Sequence, residues 1–192
     1  MENGKTSRRD FFKAFAQSSA VLAVSGMLSG CRPKQKQPNI LFCISDDQSY
    51  PHTGAYGCLF VQTPAFDRVA REGILFHRCF VSTPSCCPSR ASVLSGQAFY
   101  RLRETSMNHT VWPGGIPVYT DLLAGGGYHV GYTGKGWGPG NWKASGRTTN
   151  PVGREYNAIR KLPSVQGISA IDYSENFKAF LSDKPEGAPF CF

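Results

Sequence analysis

Apolar positions along the chain fall into short runs divided by glycine, proline and acidic residues, and each run has a recognisable period. Residues 39–45 form a continuous apolar run of strand length, the pattern of a parallel strand covered on both faces. It ends in Asp46-Asp47. Residues 63–73 keep a helical period, with Phe66, Val69 and Ala70 on one face. Thr63 can cap that helix, Pro64 suits its first position and Gly73 stops it. Residues 74–81 predict a second strand, with His77 and Cys79 as packed or half-exposed positions on it. Pro88 is placed to open the next helix and Gly96 to close it. Residues 117–124 predict a short helix, closed by Gly125-Gly126-Gly127, and residues 128–133 a strand. Residues 169–183 predict an amphipathic helix with Ile171, Phe177, Phe180 and Leu181 on one side. Residues 189–192 begin another buried strand. Strands alternating with helices in this way predict an α/β fold built on a mostly parallel sheet.

The first 30 residues read differently. Ser7-Arg8-Arg9-Asp10-Phe11-Phe12-Lys13 and the apolar stretch after it have the form of a twin-arginine export signal. The stretch is interrupted by Gln17, Ser18, Ser19 and Ser25 and is shorter than the ~20 residues a bilayer span needs. Leu28-Ser29-Gly30-Cys31 resembles a bacterial lipobox, in which Cys31 is diacylated and becomes the mature N-terminus; the alternative is a plain signal peptide with an incidental cysteine. Acylated Cys31 would hold the protein at the bacterial cell envelope by its lipid, without a crossing helix. Residues 31–38, polar and basic with Pro33 and Pro38, read as a tether, so the folded domain is expected over residues 39–192.

Composition changes this picture little. With 192 residues and 41% hydrophobic content, the chain suits one globular domain with a real core. The net charge of +8 is moderate and partly carried by the leader, so no nucleic-acid partner is expected. The seven cysteines give neither a zinc-knuckle spacing nor a C-x-x-C pair.

Chemistry concentrates in three places. Cys86-Cys87-Pro88-Ser89-Arg90, followed by Leu94-Ser95-Gly96, reads as a turn that delivers Cys86 to a helix N-terminus, where free backbone N–H groups and the helix dipole favour anions. Arg90, one turn on, would point to the same place. Asp46 and Asp47 sit at the C-terminal end of a strand, where α/β sheets bind ligands. Adjacent carboxylates repel unless solvated or bridged by a cation, so the pair reads either as a helix-capping pair or as oxygen ligands for Ca²⁺. Lys135 stands in the glycine-rich run Gly134-Lys135-Gly136-Trp137-Gly138, from which it can meet an anionic group closely.

These segments together resemble the type I sulfatases of the alkaline phosphatase superfamily. The match comprises the C-x-P-S-R…L-[ST]-G signature at Cys86, the strand ending in paired aspartates, a T-P-x-x-D-R helix at Thr63, and a G-Y…G-K segment ending at Lys135. The resemblance implies an alkaline-phosphatase-like, mostly parallel sheet sandwiched by helices. It implies that a maturation enzyme oxidises Cys86, not Cys87, to Cα-formylglycine, and that Asp46, Asp47 and the modified Cys86 ligate Ca²⁺. Lys135 would hold the substrate sulfate, and Arg90 would help stabilise developing charge. A sulfated carbohydrate is the expected substrate. One departure is visible: the family commonly has histidine two positions after the lysine, where this chain has Trp137, as in a bacterial subgroup close to the heparan N-sulfatases. The general acid is therefore unassigned. Further metal and sulfate ligands of the family come later than Phe192, so residues 39–192 are expected to be the N-terminal part of a sulfatase domain, incomplete at the C-terminus. Hydrolysis of sulfate esters or sulfamates is the leading reading. A truncated relic that at most binds glycans is the alternative, and a phosphatase relative a third.

Overall fold

A computed structural model describes residues 36–163 and 165–192. The expected export signal, the lipidation expected at Cys31 and most of the expected tether lie outside the described residues. Among those residues no helix is long and apolar enough to cross a membrane.

A glycine turn, with Gly127 in left-handed backbone at φ 87°, leads into β1 (His129–Tyr132), the central strand. β2 (Arg154–Glu155) and β3 (Phe190–Cys191) pair parallel to it on either side, giving the order β2-β1-β3. Register pairs Gly131 with Arg154 and His129 with Phe190. The predicted first strand reaches this sheet on the far side of β3. Ile40 N–H donates to the Phe190 carbonyl at 2.8 Å, Phe42 N–H to that of Phe192 at 2.8 Å, and Ile40 bridges Cys191 in parallel. Parallel strands with helices between and around them are the α/β architecture expected, although β1 reaches β2 through a long loop holding one short 3-10 turn at Lys143–Ser145. Two details differ. Residues 39–45 pair on one side only, so they form an edge with Leu41, Phe42 and Ile44 about half exposed, not a strand covered on both faces. Residues 74–81 form no strand: apolar alternation cannot make one without a partner ladder, and Ile74, Phe76 and Phe80 stand exposed.

The helices fall near their predicted bounds. α1 (Pro64–Glu72) starts with Pro64 in its first turn. Thr63 does not cap it by side chain; instead the Thr63 hydroxyl donates to Asp67 at 3.0 Å, and Asp67 accepts the Ala55 N–H at 2.8 Å, tying down the preceding turn. α2 (Cys86–Ser95) begins two residues before Pro88, and its first bond runs from Ser89 N–H to the Ser85 carbonyl at 2.9 Å. Pro88 is therefore third in the helix, still among the positions whose N–H has no intrahelical partner. Gly96 closes α2 at φ 67°, as its position predicts. α3 (Tyr119–Gly125) precedes β1. α4 (Tyr173–Asp183) starts later than its hydrophobic period suggests, because Asp172 accepts the Glu175 N–H and fixes the cap there. Ile171, just before that cap, bridges Arg160 instead.

Two groups of apolar side chains anchor the sheet. On the α2 side, Ala91 and Leu94 pack with Leu102, Trp112, Val118 and Val152. Around α4, Phe180 stacks on His129 (centroids 4.7 Å) and meets Phe192 (4.4 Å) and Tyr156 (5.4 Å). This aromatic layer needs Gly131 in β1: a Cβ there would lie 2.8 Å from Phe180 and 2.9 Å from Tyr156. Burying these rings offsets chain entropy on a short sheet, and the C-terminal end of β1 is held where the Lys135 turn leaves it.

Candidate functional site

The three segments singled out by chemistry converge at the C-terminal end of the sheet. Edge residues 39–45 deliver Asp46, the turn after β1 delivers Lys135, and the second turn of α2 delivers Arg90. Lys135 Nζ donates to Asp46 Oδ2 at 2.6 Å, and Arg90 Nη2 to Asp46 Oδ1 at 3.3 Å. The other Arg90 nitrogen, Nη1, donates to the backbone carbonyl of Lys135. One guanidinium thus holds both the carboxylate and the backbone of the lysine, using the planar fork that distinguishes arginine from lysine.

Burial separates the roles of these groups. Arg90 is only 8% exposed, whereas the Asp46 and Lys135 side chains are 43% and 42% exposed. The Lys135 hydrogen bond, helped by Arg90, holds the Asp46 carboxyl below its ordinary 3.8 against partial desolvation. Asp46 in turn raises the Lys135 ammonium above its ordinary 10.5. The depressed carboxyl keeps its contribution until pH falls through its folded value, and the raised ammonium keeps its own until pH climbs past 10.5. Both stay charged across the neutral range. Their exposure makes the pair worth little in stability, so its consequence is placement.

The run after Lys135 is glycine-rich for steric reasons. A Cβ on Gly138 would lie 2.6 Å from Arg90 Cδ, and one on Gly136 2.1 Å from the Tyr132 ring. Trp137, which stands where the family commonly has histidine, is turned into the core. Its indole N–H donates to the Gly140 carbonyl at 2.7 Å, and its ring packs edge-on against Trp112 at 5.3 Å. It offers no proton to the site.

Cys86 is the first residue of α2 and half-buried, at the end of the helix where the backbone N–H groups have no intrahelical partner. It lies close enough to Lys135 to raise the ammonium's pKa. Cys87 follows it in the same turn. Burial pushes its thiol above the ordinary 9.0, the Cys86 sulfur adds to the shift, and the His109 backbone N–H donates toward it; Lys135 acts on this thiol as well, as the weakest of these influences. His109 itself is an exposed loop residue with φ 59°.

Asp47 does not join Asp46. It is exposed, with its backbone in the left-handed region at φ 53°, and among the described residues no group of three or more His, Cys, Asp or Glu is gathered for a metal. Carboxylate oxygens are the right donors for Ca²⁺, but the ion takes six to eight of them, and both oxygens of Asp46 already accept from cations. The residues present do not by themselves make a calcium site.

Sequence reasoning missed the residue that supports the lysine turn. Asn157 accepts from Gly134 N–H at 2.6 Å and from the Thr133 hydroxyl at 3.1 Å. It lies in a stretch without period or motif, so no sequence signal marks it.

A family model described as Sulfatase matches residues 38–191. The chain belongs to the sulfatase family. Over 116 residues it is 32% identical to the N-acetylglucosamine-6-O-sulfatase of Bacteroides thetaiotaomicron, an alignment covering 60% of this chain and 21% of that protein. Over 127 residues it is 35% identical to the N-acetylgalactosamine-6-sulfatase of Sus scrofa, covering 60% and 24%. A solved structure from work on the metabolism of multiple glycosaminoglycans by Bacteroides thetaiotaomicron aligns at 28% identity with a TM-score of 0.46, covering 50% of this sulfatase chain and 21% of that one. The alignments thus span about a fifth to a quarter of the curated relatives' length.

Proposed function

We propose that this protein hydrolyses sulfate esters or sulfamates on a sulfated carbohydrate, with Cys86 in its formylglycine form as the nucleophile. The observation that carries the reading is the convergence of Arg90, Lys135 and Asp46 beside a helix N-terminus that opens with Cys86. Once oxidised to an aldehyde and hydrated, Cys86 would supply a gem-diol oxygen to attack sulfur and would shed the sulfate by returning to the aldehyde. The chain's own residues do the rest. Lys135 presents an ammonium to a sulfate oxygen. Arg90 fixes the Lys135 backbone, and the two cations together stabilise charge that grows on the sulfate oxygens as the ester bond breaks. Asp46 keeps the lysine protonated and aimed. Ca²⁺ belongs to the family's chemistry, but here it would require Asp46 to give up its Lys135 and Arg90 partners and Asp47 to turn in beside it, so no step is assigned to the ion.

The names of the amino-sugar 6-sulfatases among the relatives make 6-sulfated amino sugars the first substrates to test. With Cys86 converted by a formylglycine-generating enzyme, ion chromatography should detect sulfate released from N-acetylglucosamine 6-sulfate and no phosphate from N-acetylglucosamine 6-phosphate. Phosphate release would move the protein to the phosphatases. Binding to sulfated glycan without any release would leave a glycan-binding relic.

We also propose export by the twin-arginine route and acylation at Cys31. With Arg8 and Arg9 both changed to lysine, the protein should stay in the cytoplasmic fraction, and Cys31→Ala should release it from membranes. A Cys31→Ala protein that still sediments with membranes would rule out the lipid anchor.

A further inference from the structure

We propose that Asn157 is the positioning residue for Lys135, a role that rests on the sulfatase reading of the site. Lys135 follows Gly134, whose φ of 71° turns the chain sharply out of β1. Such a turn has no ladder partner of its own. The β1–β2 ladder ends with Tyr156 N–H donating to the Tyr132 carbonyl at 2.8 Å. One residue later, the Asn157 side chain takes over where the backbone leaves off. Its Oδ1 accepts the Gly134 N–H at 2.6 Å and the Thr133 hydroxyl at 3.1 Å, and its Nδ2 faces the Gly134 carbonyl at 3.5 Å. The peptide leading into Lys135 is thus held by a single amide.

Asn157 is itself firmly seated. Tyr156 before it is buried, and Ile159 after it is tied to α4 by Asn176: the Ile159 N–H donates to Asn176 Oδ1 at 3.1 Å, and Asn176 Nδ2 donates to the Ile159 carbonyl at 2.7 Å. Lys135 is therefore fixed from three directions: Asn157 behind its turn, Arg90 at its carbonyl and Asp46 at its ammonium. Asn157 touches neither Cys86 nor the lysine ammonium, and it acts through the backbone. A group held this way keeps its place when a substrate sulfate draws the ammonium off Asp46, the condition under which small displacements cost most in rate.

Asn157→Ala removes the acceptor, whereas Asn157→Asp keeps an oxygen for both donors. In the matured protein, Asn157→Ala should lower kcat/KM for the 6-sulfated sugar roughly ten- to hundredfold. Hydrogen exchange at the Gly134 amide should become fast while α4 stays protected. Asn157→Asp should restore slow exchange and most of the rate. Full turnover by Asn157→Ala, or an Asn157→Asp protein as impaired as the alanine variant, would overturn the proposal. If Asn157→Ala loses protection throughout, Thr133→Val decides: it removes one of the two bonds and should give an intermediate rate, and an unchanged rate would count against the clamp. Wild-type protein that releases no sulfate dependent on Cys86 would reject the sulfatase reading instead, and the exchange measurement would still report whether Asn157 holds the turn.

Discussion

Cys86→Ala should abolish sulfate release by the matured protein, a loss on the order of 10³-fold or more, because it removes the attacking atom. Cys87→Ala should leave turnover in place. The two thiols are neighbours in sequence, but their surroundings differ. Cys86 opens α2, near Lys135 and at the end of the helix where the backbone N–H groups have no intrahelical partner. Cys87 has its thiol pushed above its ordinary value by burial and by the Cys86 sulfur beside it, and Lys135 offsets this only weakly. Mass spectrometry of the tryptic peptide ending at Arg90, made after coexpression with the maturation enzyme, should place the aldehyde at the first cysteine. An aldehyde at Cys87, or a Cys86→Ala protein with wild-type turnover, would move the nucleophile or remove it from the reading altogether.

The residues of this site were legible in the sequence to different degrees, for physical reasons. Cys86, Arg90 and Gly96 sit in one helix whose start and stop are written locally, so their relative placement needs no tertiary information. The helix start is shifted by two residues, since proline is tolerated anywhere in the first turn. Asp46 and Lys135 are 89 positions apart, yet each ends an apolar run, and the parallel arrangement of those runs carries both to one end of the sheet. Strand 74–81 failed because alternation reports a face and not a partner. Asn157 was invisible for a related reason: a side chain that extends a ladder depends on the register of Tyr132 with Glu155, and nothing near Asn157 in sequence encodes that register. Trp137 shows the opposite case. Its sequence position suggests a site residue, while its indole is held in the core by Gly140 and Trp112.

The second large effect is expected at Arg90, where charge and architecture coincide. Arg90→Ala deletes the donor to the Lys135 carbonyl and one of the two cations on Asp46. It also empties a buried position against which Gly138 packs closely. Turnover should fall on the order of 10²- to 10³-fold through lost charge stabilisation and a displaced lysine. Stability should drop by about 1–3 kcal/mol, because the Lys135 carbonyl is left without its partner beside a void. Lys135→Ala gives the contrast: it should cost as much in rate, yet little in stability, since its ion pair with Asp46 is substantially solvent-exposed. Arg90→Lys separates charge from shape. A lysine retains the positive charge, but a single ammonium cannot reach the Lys135 carbonyl and Asp46 with two in-plane donors, so the variant should remain within about tenfold of Arg90→Ala in kcat/KM. Turnover assays paired with urea unfolding midpoints test all three. An Arg90→Lys protein with wild-type turnover would mean that charge alone suffices at this position, and that the fork joining Asp46 to the Lys135 turn has no part in the rate.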